Sequence, residues 1–153
     1  MAALEGRMDN IPYQLSEGLF LEASGKLLPW FKSLHQITKK GGKPLPEKGK
    51  TSQLFWKNDV VFDSLEVSVS AVQQGEGMFF LNIQHGKEFE SVQSEYEFIL
   101  GVLTKKFGGS TETGNNDGYP FSRWLWGDIR LNLTIAERFM EYIALSISKG
   151  VIK

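Results

Sequence analysis

The strongest constraint on the fold is a hairpin signature in the last third of the chain. Apolar and polar residues alternate over residues 129–135, and an aromatic-rich run covers residues 121–126. Only a Gly-Asp pair, residues 127–128, separates the two runs. A two-residue connection with glycine first is typical of a tight β-hairpin with positive φ at the glycine. Because directly opposed residues share a face, Trp124 and Trp126 fall on the apolar side of the following strand. This pattern predicts an antiparallel sheet that buries both tryptophans.

A second hairpin is predicted from residues 65–72, which alternate in polarity, and residues 78–84. A three-residue loop, residues 75–77, opposes Val69 to Ile83 and keeps one side of the pair apolar. The outward side is then mostly small and polar, with one aromatic side chain: Glu66, Ser68, Ser70, Val72, Phe80, Asn82 and Gln84. Shorter strands are predicted over residues 18–23, 53–56 and 60–62.

Two helices and two long loops are predicted between the strands. The first helix has Pro29 in its first turn and apolar residues at helical spacing, namely Trp30, Phe31, Leu34 and Ile37. The second has Ser94 and Glu97 at capping-box spacing, ends at Gly108, and carries the apolar stripe Tyr96, Ile99, Leu100, Leu103 and Phe107. The segments 41–52 and 109–118, rich in Gly, Pro, Lys or Asn, are predicted to be loops.

The C-terminal segment, residues 136–148, suits both a strand and a helix. Residues 136–141 have a helical composition, whereas Ile143, Leu145 and Ile147 alternate. Because β-branched residues occupy the alternating positions, the strand is favoured.

These elements predict one α+β domain, in which an antiparallel β-sheet has two helices packed on one face. The domain spans residues 17–153 and follows a loose N-terminal lead-in, residues 1–16; a chain of 153 residues suffices for one such core. The halves that begin near residues 18 and 77 share an order of strand, helix and strands. This order is consistent with a pseudo-duplicated β-α-β-β(-β) unit. The alternative is that any α+β chain shows a similar succession of strands, helices and turn residues.

Composition argues against several classes of function. Seventeen Lys+Arg against eighteen Asp+Glu give a net charge of −1, whereas general nucleic-acid or anionic-membrane binding needs a cationic excess. The absence of cysteine removes disulfides and thiolate metal sites. Apolar runs are much shorter than the roughly 20 residues of a spanning helix. We therefore predict a cytoplasmic protein that binds neither nucleic acid nor membrane.

No sequence motif in the chain indicates a particular enzymatic reaction. The two histidines, His35 and His85, lie far apart and have no second ligand at helical spacing, so neither a metal nor another cofactor is predicted. The chain contains no Gly-x-Ser-x-Gly elbow and no Gly-Lys-Ser/Thr phosphate loop. Its acidic pairs, such as Glu137 with Glu141, are interpreted as surface groups. An enzyme of unrecognised type is kept only as an alternative.

Four short stretches of the chain follow one another in a familiar order. Leu-Pro-Trp at residues 28–30 opens the first predicted helix, and Lys-Lys-Phe-Gly at residues 105–108 ends the second. Pro-x-x-x-Trp follows at residues 120–124, and Glu-Arg-Phe-Met-Glu-Tyr at residues 137–142 leads into the terminal strand. This layout resembles that of small bacterial immunity proteins, which neutralise toxins secreted in interbacterial competition. The resemblance implies an α+β fold and a neutralising role. It implies no fixed site, since such proteins vary their contact surface to match a partner.

The outer face of the sheet is the predicted protein-binding site. It combines arginine with apolar side chains, as interface anchors do, and its predicted residues are Arg123, Leu125, Arg130, Asn132, Phe80 and Phe121. We therefore predict a non-catalytic inhibitor or immunity-type protein whose partner is another protein, a toxin or effector being one candidate. An ordinary solvated sheet face is the alternative for these residues. The alternative for function is a small-molecule binder with a pocket between helices and sheet, lined by Trp30, Trp124 and Tyr96.

Overall fold

An eight-stranded antiparallel β-sheet forms the body of the protein. The computed structural model describes residues 13–47, 50–84, 89–137 and 139–150. Its helical elements are α1 (Tyr13–Glu17), the 3-10 helix η1 (Leu34–Lys40) and α2 (Val92–Phe107). Its strands are β1 (Gly18–Leu21), β2 (Lys26–Pro29), β3 (Lys43–Glu47), β4 (Lys50–Val61), β5 (Leu65–Val72), β6 (Met78–Ile83), β7 (Glu112–Asn116), β8 (Tyr119–Trp126), β9 (Ile129–Glu137) and β10 (Glu141–Lys149). The predicted α+β class with an antiparallel sheet is confirmed.

The sheet is built from two four-stranded meanders. The strand order is β3-β4-β5-β6-β10-β9-β8-β7, and β1 and β2 form a separate hairpin. The two meanders join at the centre of the sheet, where Phe80 of β6 opposes Ser146 of β10. Each meander follows a helical element, η1 or α2. The predicted repeat matched strands near residues 18 and 77, but these belong to different sheets. Instead, the two halves are similar because each consists of a helical element followed by four strands.

One side of the sheet carries the core, and we call it the covered face. It consists of the buried inward residues of the strands, chiefly Leu54, Trp56, Val67, Val69, Phe79, Leu81, Trp124, Leu131, Leu133, Leu145 and Ile147. Helix α2 packs over β9 and β10 and buries Ile99 and Leu103. The β1–β2 hairpin and η1 lie over the other half, where the rings of Trp30 and Phe31 lie 5.6 and 5.7 Å from that of Phe79. Two helices packed on one face are not confirmed, because the second cover is a hairpin with a 3-10 helix.

The hairpin at residues 127–128 is confirmed. Trp126 pairs with Ile129, and Trp124 is buried on the covered face. Gly127 has φ +62°, as a Gly-first tight turn requires. The C-terminal segment is also a strand, because β10 pairs with β9 along its whole length.

The β5–β6 hairpin has a longer loop than predicted. Val69 opposes Leu81, so the predicted pairing with Ile83 is wrong by two residues. Loop backbone groups bind neighbouring elements as well as each other: Gly77 N donates to the Gln74 carbonyl, the Glu76 carbonyl accepts from Phe31 N, and Glu76 N donates to the Lys149 carbonyl. A shift of two residues leaves every side chain on its predicted face.

The first predicted helix is wrong in its start and its type. Pro29 ends β2, where it pairs with Gly18, so the chain is still extended there. Helical structure begins only after Ser33, whose hydroxyl accepts from His35 N, and the Gln36 side chain completes a capping box. The cap, rather than the proline, sets the start of this element.

Helix α2 is confirmed, although it begins about one turn before the predicted cap. Ser91 caps it by accepting from Ser94 N, and Gly108 N ends it by donating to the Thr104 carbonyl. Of the predicted lead-in, residues 1–12 lie outside the described residues, and residues 13–16 belong to α1, whose Leu15 is buried.

Both predicted long loops contain edge strands. Strand β3 and the start of β4 lie within residues 41–52, and β7 lies within residues 109–118. An edge strand pairs on one side only, so it tolerates the proline, glycine and asparagine that weaken a central strand. The loop prediction is therefore wrong. The Gly, Pro and Asn residues were interpreted as turns, whereas these segments contain the strands at the two edges of the sheet.

Candidate functional site

The side of the sheet opposite the covered face is open, and we call it the open face. It carries the outward residues of all eight strands, among them Lys43, Leu45, Gln53, Phe55, Glu66, Ser68, Ser70, Val72, Met78, Phe80, Asn82, Glu112, Phe121, Arg123, Leu125, Arg130, Asn132, Thr134, Tyr142, Ala144, Ser146 and Ser148. Helix α2, η1 and the β1–β2 hairpin all pack on the other side. At the β3–β4 end, however, Ser24 and Lys26 of the β1–β2 turn line a hollow together with Lys43, Leu45, Phe55 and Ser68 of the open face.

Opposed residues on the open face form rows that cross the sheet. One row passes through all eight strands, in the order Lys43, Phe55, Ser70, Phe80, Ser146, Asn132, Arg123 and Glu112. The next row contains Leu45, Gln53, Val72, Met78, Ser148, Arg130 and Leu125. Opposed Cβ atoms are about 4.5–5.5 Å apart, so each row is a continuous strip of side chains.

The six predicted site residues all lie on this face. The first row contains Phe80, Asn132 and Arg123; the second contains Arg130 and Leu125; and Phe121 pairs with Thr134 beside them. Only Ser146 separates Phe80 from Asn132 in the first row. The register therefore brings the six residues onto one surface, and their role in binding stays a prediction.

The two arginines of this surface differ in their surroundings. Arg123 lies 4.5 Å above the Phe121 ring, its Nη1 is 2.9 Å from Glu112 Oε1, and its Nε donates to Asn132 Oδ1 at 3.1 Å. The side chain of Arg130 makes no hydrogen bond or ion pair with any described residue. Arg123 thus fastens the β7 edge to the sheet, while the guanidinium of Arg130 has no partner among the described residues.

An apolar cluster occupies the centre of the open face. Phe80 is 40% exposed on β6, and its neighbours Phe55, Met78 and Val72 are half-buried. The residues opposite Phe80, Ser70 and Ser146, are too short to shield its ring. The prediction named Phe80 alone of this cluster. Val72 is on the predicted outward side and Met78 is two residues from Phe80 on β6, so alternation places both on this face, whereas Phe55 joins it through the β4–β5 pairing.

The β9–β10 turn adds exposed apolar side chains that the sequence analysis missed as site residues. Phe139 is 94% exposed and Met140 is 72% exposed, and Tyr142 extends them onto the open face. A Phe-Met pair in a turn, where polar residues are usual, is the signal that marks them.

Tyr119 closes the base of this turn. Its hydroxyl lies 2.9 Å from Glu141 Oε2 and 3.0 Å from Glu137 Oε1. Hydrogen bonds to Glu141 and to Glu137 raise the pKa of Tyr119 to about 12. The two carboxylates, interpreted from the sequence as surface groups, are exposed and share one phenol donor. The arrangement joins β8 to the β9–β10 turn.

The three side chains of the predicted ligand pocket, Trp30, Trp124 and Tyr96, are each held by a hydrogen bond. The Trp30 indole donates to the Leu15 carbonyl at 2.8 Å, and the Trp124 indole to the Gly108 carbonyl at 2.9 Å. The Tyr96 hydroxyl is 2.8 Å from Ser122 Oγ, and Tyr96 and Trp124 are buried in the core. These side chains fasten the covering elements to the sheet, and a ligand pocket lined by them stays a prediction.

The buried carboxylate of the described chain also has a structural role. Burial alone would raise the pKa of Asp59, but hydrogen bonds from the backbone N–H groups of Val60 and Ala23 and from the Ser24 hydroxyl outweigh it and lower the pKa. Asp59 thereby holds the turn between β1 and β2 against β4.

The described residues contain no cluster of three or more His, Cys, Asp or Glu side chains that could hold a metal ion. His35 is exposed on η1, and His85 lies outside the described residues. No helix among the described residues is long and apolar enough to cross a membrane. Comparison of the chain with protein-family models, with curated proteins and with solved structures finds no match. The site must therefore be interpreted from its own geometry.

Proposed function

We propose that this chain is a non-catalytic protein-binding domain that captures a partner protein on the open face of its sheet. The observation that carries the proposal is the apolar cluster at the centre of that face. Phe80 is 40% exposed on a central strand, with Phe55, Met78 and Val72 beside it. Single exposed apolar residues are ordinary, but a contiguous apolar patch with a polar rim is typical of an interaction surface.

The size and chemistry of the face favour a protein over a small ligand. Eight strands span about 35 Å, the scale of a standard interface of roughly 800 Å² on each partner. The polar rim contains Arg130, whose side chain has no partner among the described residues, and Arg123, which lies over Phe121. Arginine beside aromatic side chains is enriched among the residues that dominate binding energy.

The β9–β10 turn enlarges this surface. Phe139 and Met140 project from the turn, and Tyr142 is 46% exposed on the open face of β10. From Tyr142, the open-face positions of β10 lead through Ser146 to the apolar cluster around Phe80. We include this turn in the binding surface as a projecting apolar anchor that a pocket on the partner receives.

In its most concrete form, the proposal is that the chain is a bacterial inhibitor of the immunity type, which neutralises a toxin or effector in the cytoplasm. The layout of residues 28–30, 105–108, 120–124 and 137–142 supports this form. So does the breadth of the open face, which extends over eight strands. A partner held across such a face would be blocked by coverage of its surface rather than by chemistry.

Affinity capture from lysate of the native host tests the proposal. Immobilised wild-type protein is compared with the double variant Phe80→Ala/Arg130→Glu and with Lys32→Glu, a matched charge reversal at an exposed lysine away from the open face. We expect one specific protein to be retained by the wild type and by Lys32→Glu. The double variant should bind it about 2 kcal/mol or more weaker, as central anchors do. Thermal melts control for folding. Equal retention by all three proteins, or no retained protein, would contradict the proposal.

A further inference from the structure

A cavity lies on the other side of the molecule, between α1, β1, the β4–β5 turn and the C-terminal end of α2. Its volume is about 300 Å³. Four apolar side chains line it, namely Leu15, Phe20, Phe62 and Phe107, and three charged ones stand among them, namely Glu22, Asp63 and Lys106. Apolar walls with a few placed polar groups are typical of a small-molecule site.

The turn that forms one wall has an unusual backbone. Phe62 has φ +54° and Asp63 has φ +75°, a region that bulky side chains rarely adopt. Phe62 is nevertheless buried, and its ring packs edge-on against that of Phe107 at 5.1 Å. A glycine or asparagine would suit this turn better. The aromatic residue in this strained position builds the wall of the cavity.

The charges around the cavity are not balanced. Lys106 Nζ lies 2.9 Å from Asp63 Oδ2, so these two groups neutralise each other. The Glu22 carboxylate accepts from Asp63 N at 2.9 Å but pairs with no cation among the described residues. Its backbone is fixed as well, because Glu22 N donates to the Val60 carbonyl. A fixed carboxylate without a cation therefore faces the apolar walls.

We infer that this cavity binds a small organic amine with an aromatic or aliphatic body. The body packs between Phe20, Phe62 and Phe107, and the ammonium group pairs with Glu22, which no cation among the described residues compensates. The adjoining hollow along α2 is lined by Phe98, Val102, Lys105 and the paired Asp63 and Lys106, so Lys105 gives it a net positive charge that suits an anion. The sign of the ligand charge thus distinguishes the two hollows.

An NMR titration of the full chain tests this inference with two probes that share a ring and a chain length. Phenethylamine carries an ammonium group, and 3-phenylpropionate carries a carboxylate. For so small a probe we expect a dissociation constant on the order of 1 mM. Phenethylamine should shift the amide signals of Glu22, Asp63 and Phe107, and 3-phenylpropionate should bind about tenfold more weakly.

Two matched variants identify the group that selects the amine. Glu22→Gln keeps an oxygen to accept from Asp63 N but removes the charge, so it should weaken phenethylamine binding about tenfold. Glu66→Gln, the same change at an exposed position on the open face, should leave it unchanged. Equal binding of both probes, shifts centred on Val102 and Lys105, no shifts at all, or an unaffected Glu22→Gln would overturn the inference. None of these results bears on capture of a protein by the open face.

Discussion

Phe79 and Phe80 are neighbours on β6, yet they lie in opposite environments. Phe79 is completely buried on the covered face, in contact with the rings of Trp30 and Phe31, whereas Phe80 is 40% exposed on the open face. Both side chains have the same size and the same backbone partner strands, β5 and β10. The difference comes entirely from what packs above the sheet. Stability therefore depends on the covered face, and the open face remains available for a partner.

Truncation of the two phenylalanines should show the largest difference between the faces. Phe79→Ala opens a cavity beneath Trp30 and Phe31 and is expected to lower the free energy of unfolding by about 3–5 kcal/mol. Phe80→Ala removes a ring that water already reaches and should lower it by less than about 1 kcal/mol. Urea melts of both variants measure the difference. Similar losses would mean that the open face is part of the core.

The turn at Gly127 keeps Trp124 and Trp126 on the covered face, and a β-branched residue should disturb it. Gly127→Val places valine at φ +62° and is expected to destabilise the protein by about 1–3 kcal/mol. Gly109→Val is the matched control, because a Cβ there meets no atom within 4 Å and its φ is not positive. Chemical denaturation should show a loss at residue 127 alone. Equal effects would argue against a conformational requirement at Gly127.

Acid should weaken the attachment of the β1–β2 hairpin to the covered face through Asp59. Since the folded-state pKa of this carboxyl is lowered, its stabilising effect is fully present above its usual value of about 3.9 and is lost as the pH falls through the folded value. Wild type should therefore exceed Asp59→Asn in stability at neutral pH and lose that advantage below about pH 4. Melting curves from pH 7 to pH 2 measure this gap, the difference in stability between the wild type and Asp59→Asn. A gap that widens on acidification would refute the assigned role.

The smallest effects on folding are expected on the open face itself. Arg130→Glu should change the free energy of unfolding by less than about 0.5 kcal/mol, because Arg130 has no partner among the described residues. Arg123→Glu removes the ion pair with Glu112 and places two acids together, so a loss of about 0.5–1 kcal/mol is expected. Thermal melts at low salt show which of the two substitutions destabilises the protein more. A larger effect at Arg130 would show that this arginine has a structural rather than a binding role.

Local patterns predicted the elements whose signals lie within a few residues. The Gly-Asp turn, the alternation of residues 129–135 and the apolar stripe of α2 each combine a period with a stop signal, and each is confirmed. The first helix was misplaced because Pro29 suits a strand end as well as a helix start, whereas the Ser33 cap decides the outcome. Edge strands were missed because pairing on one side makes few demands on sequence.

The candidate site was predictable only as far as the strand register extends. Alternation placed Arg123, Arg130 and Phe80 on the outward side, but their arrangement in rows depends on the β6–β10 pairing at the centre. That pairing joins strands distant in sequence and leaves no local signal. The cavity behind Phe62 was unpredictable for the same reason, since it unites α1, the β4–β5 turn and the end of α2.

Whether the open face holds the partner is tested most directly by blocking one face at a time. The chain has no cysteine, so a single introduced thiol can be labelled without background. Asn82→Cys lies on the open face, two residues from Phe80, and Gly101→Cys lies on the exposed side of α2, where a Cβ meets no atom within 4 Å. Each variant is coupled to a bulky maleimide and tested for capture of the partner from host lysate. The label at residue 82 should abolish capture, and the label at residue 101 should leave it intact. Capture that survives the label at residue 82, or is lost with the label at residue 101, would contradict binding by the open face.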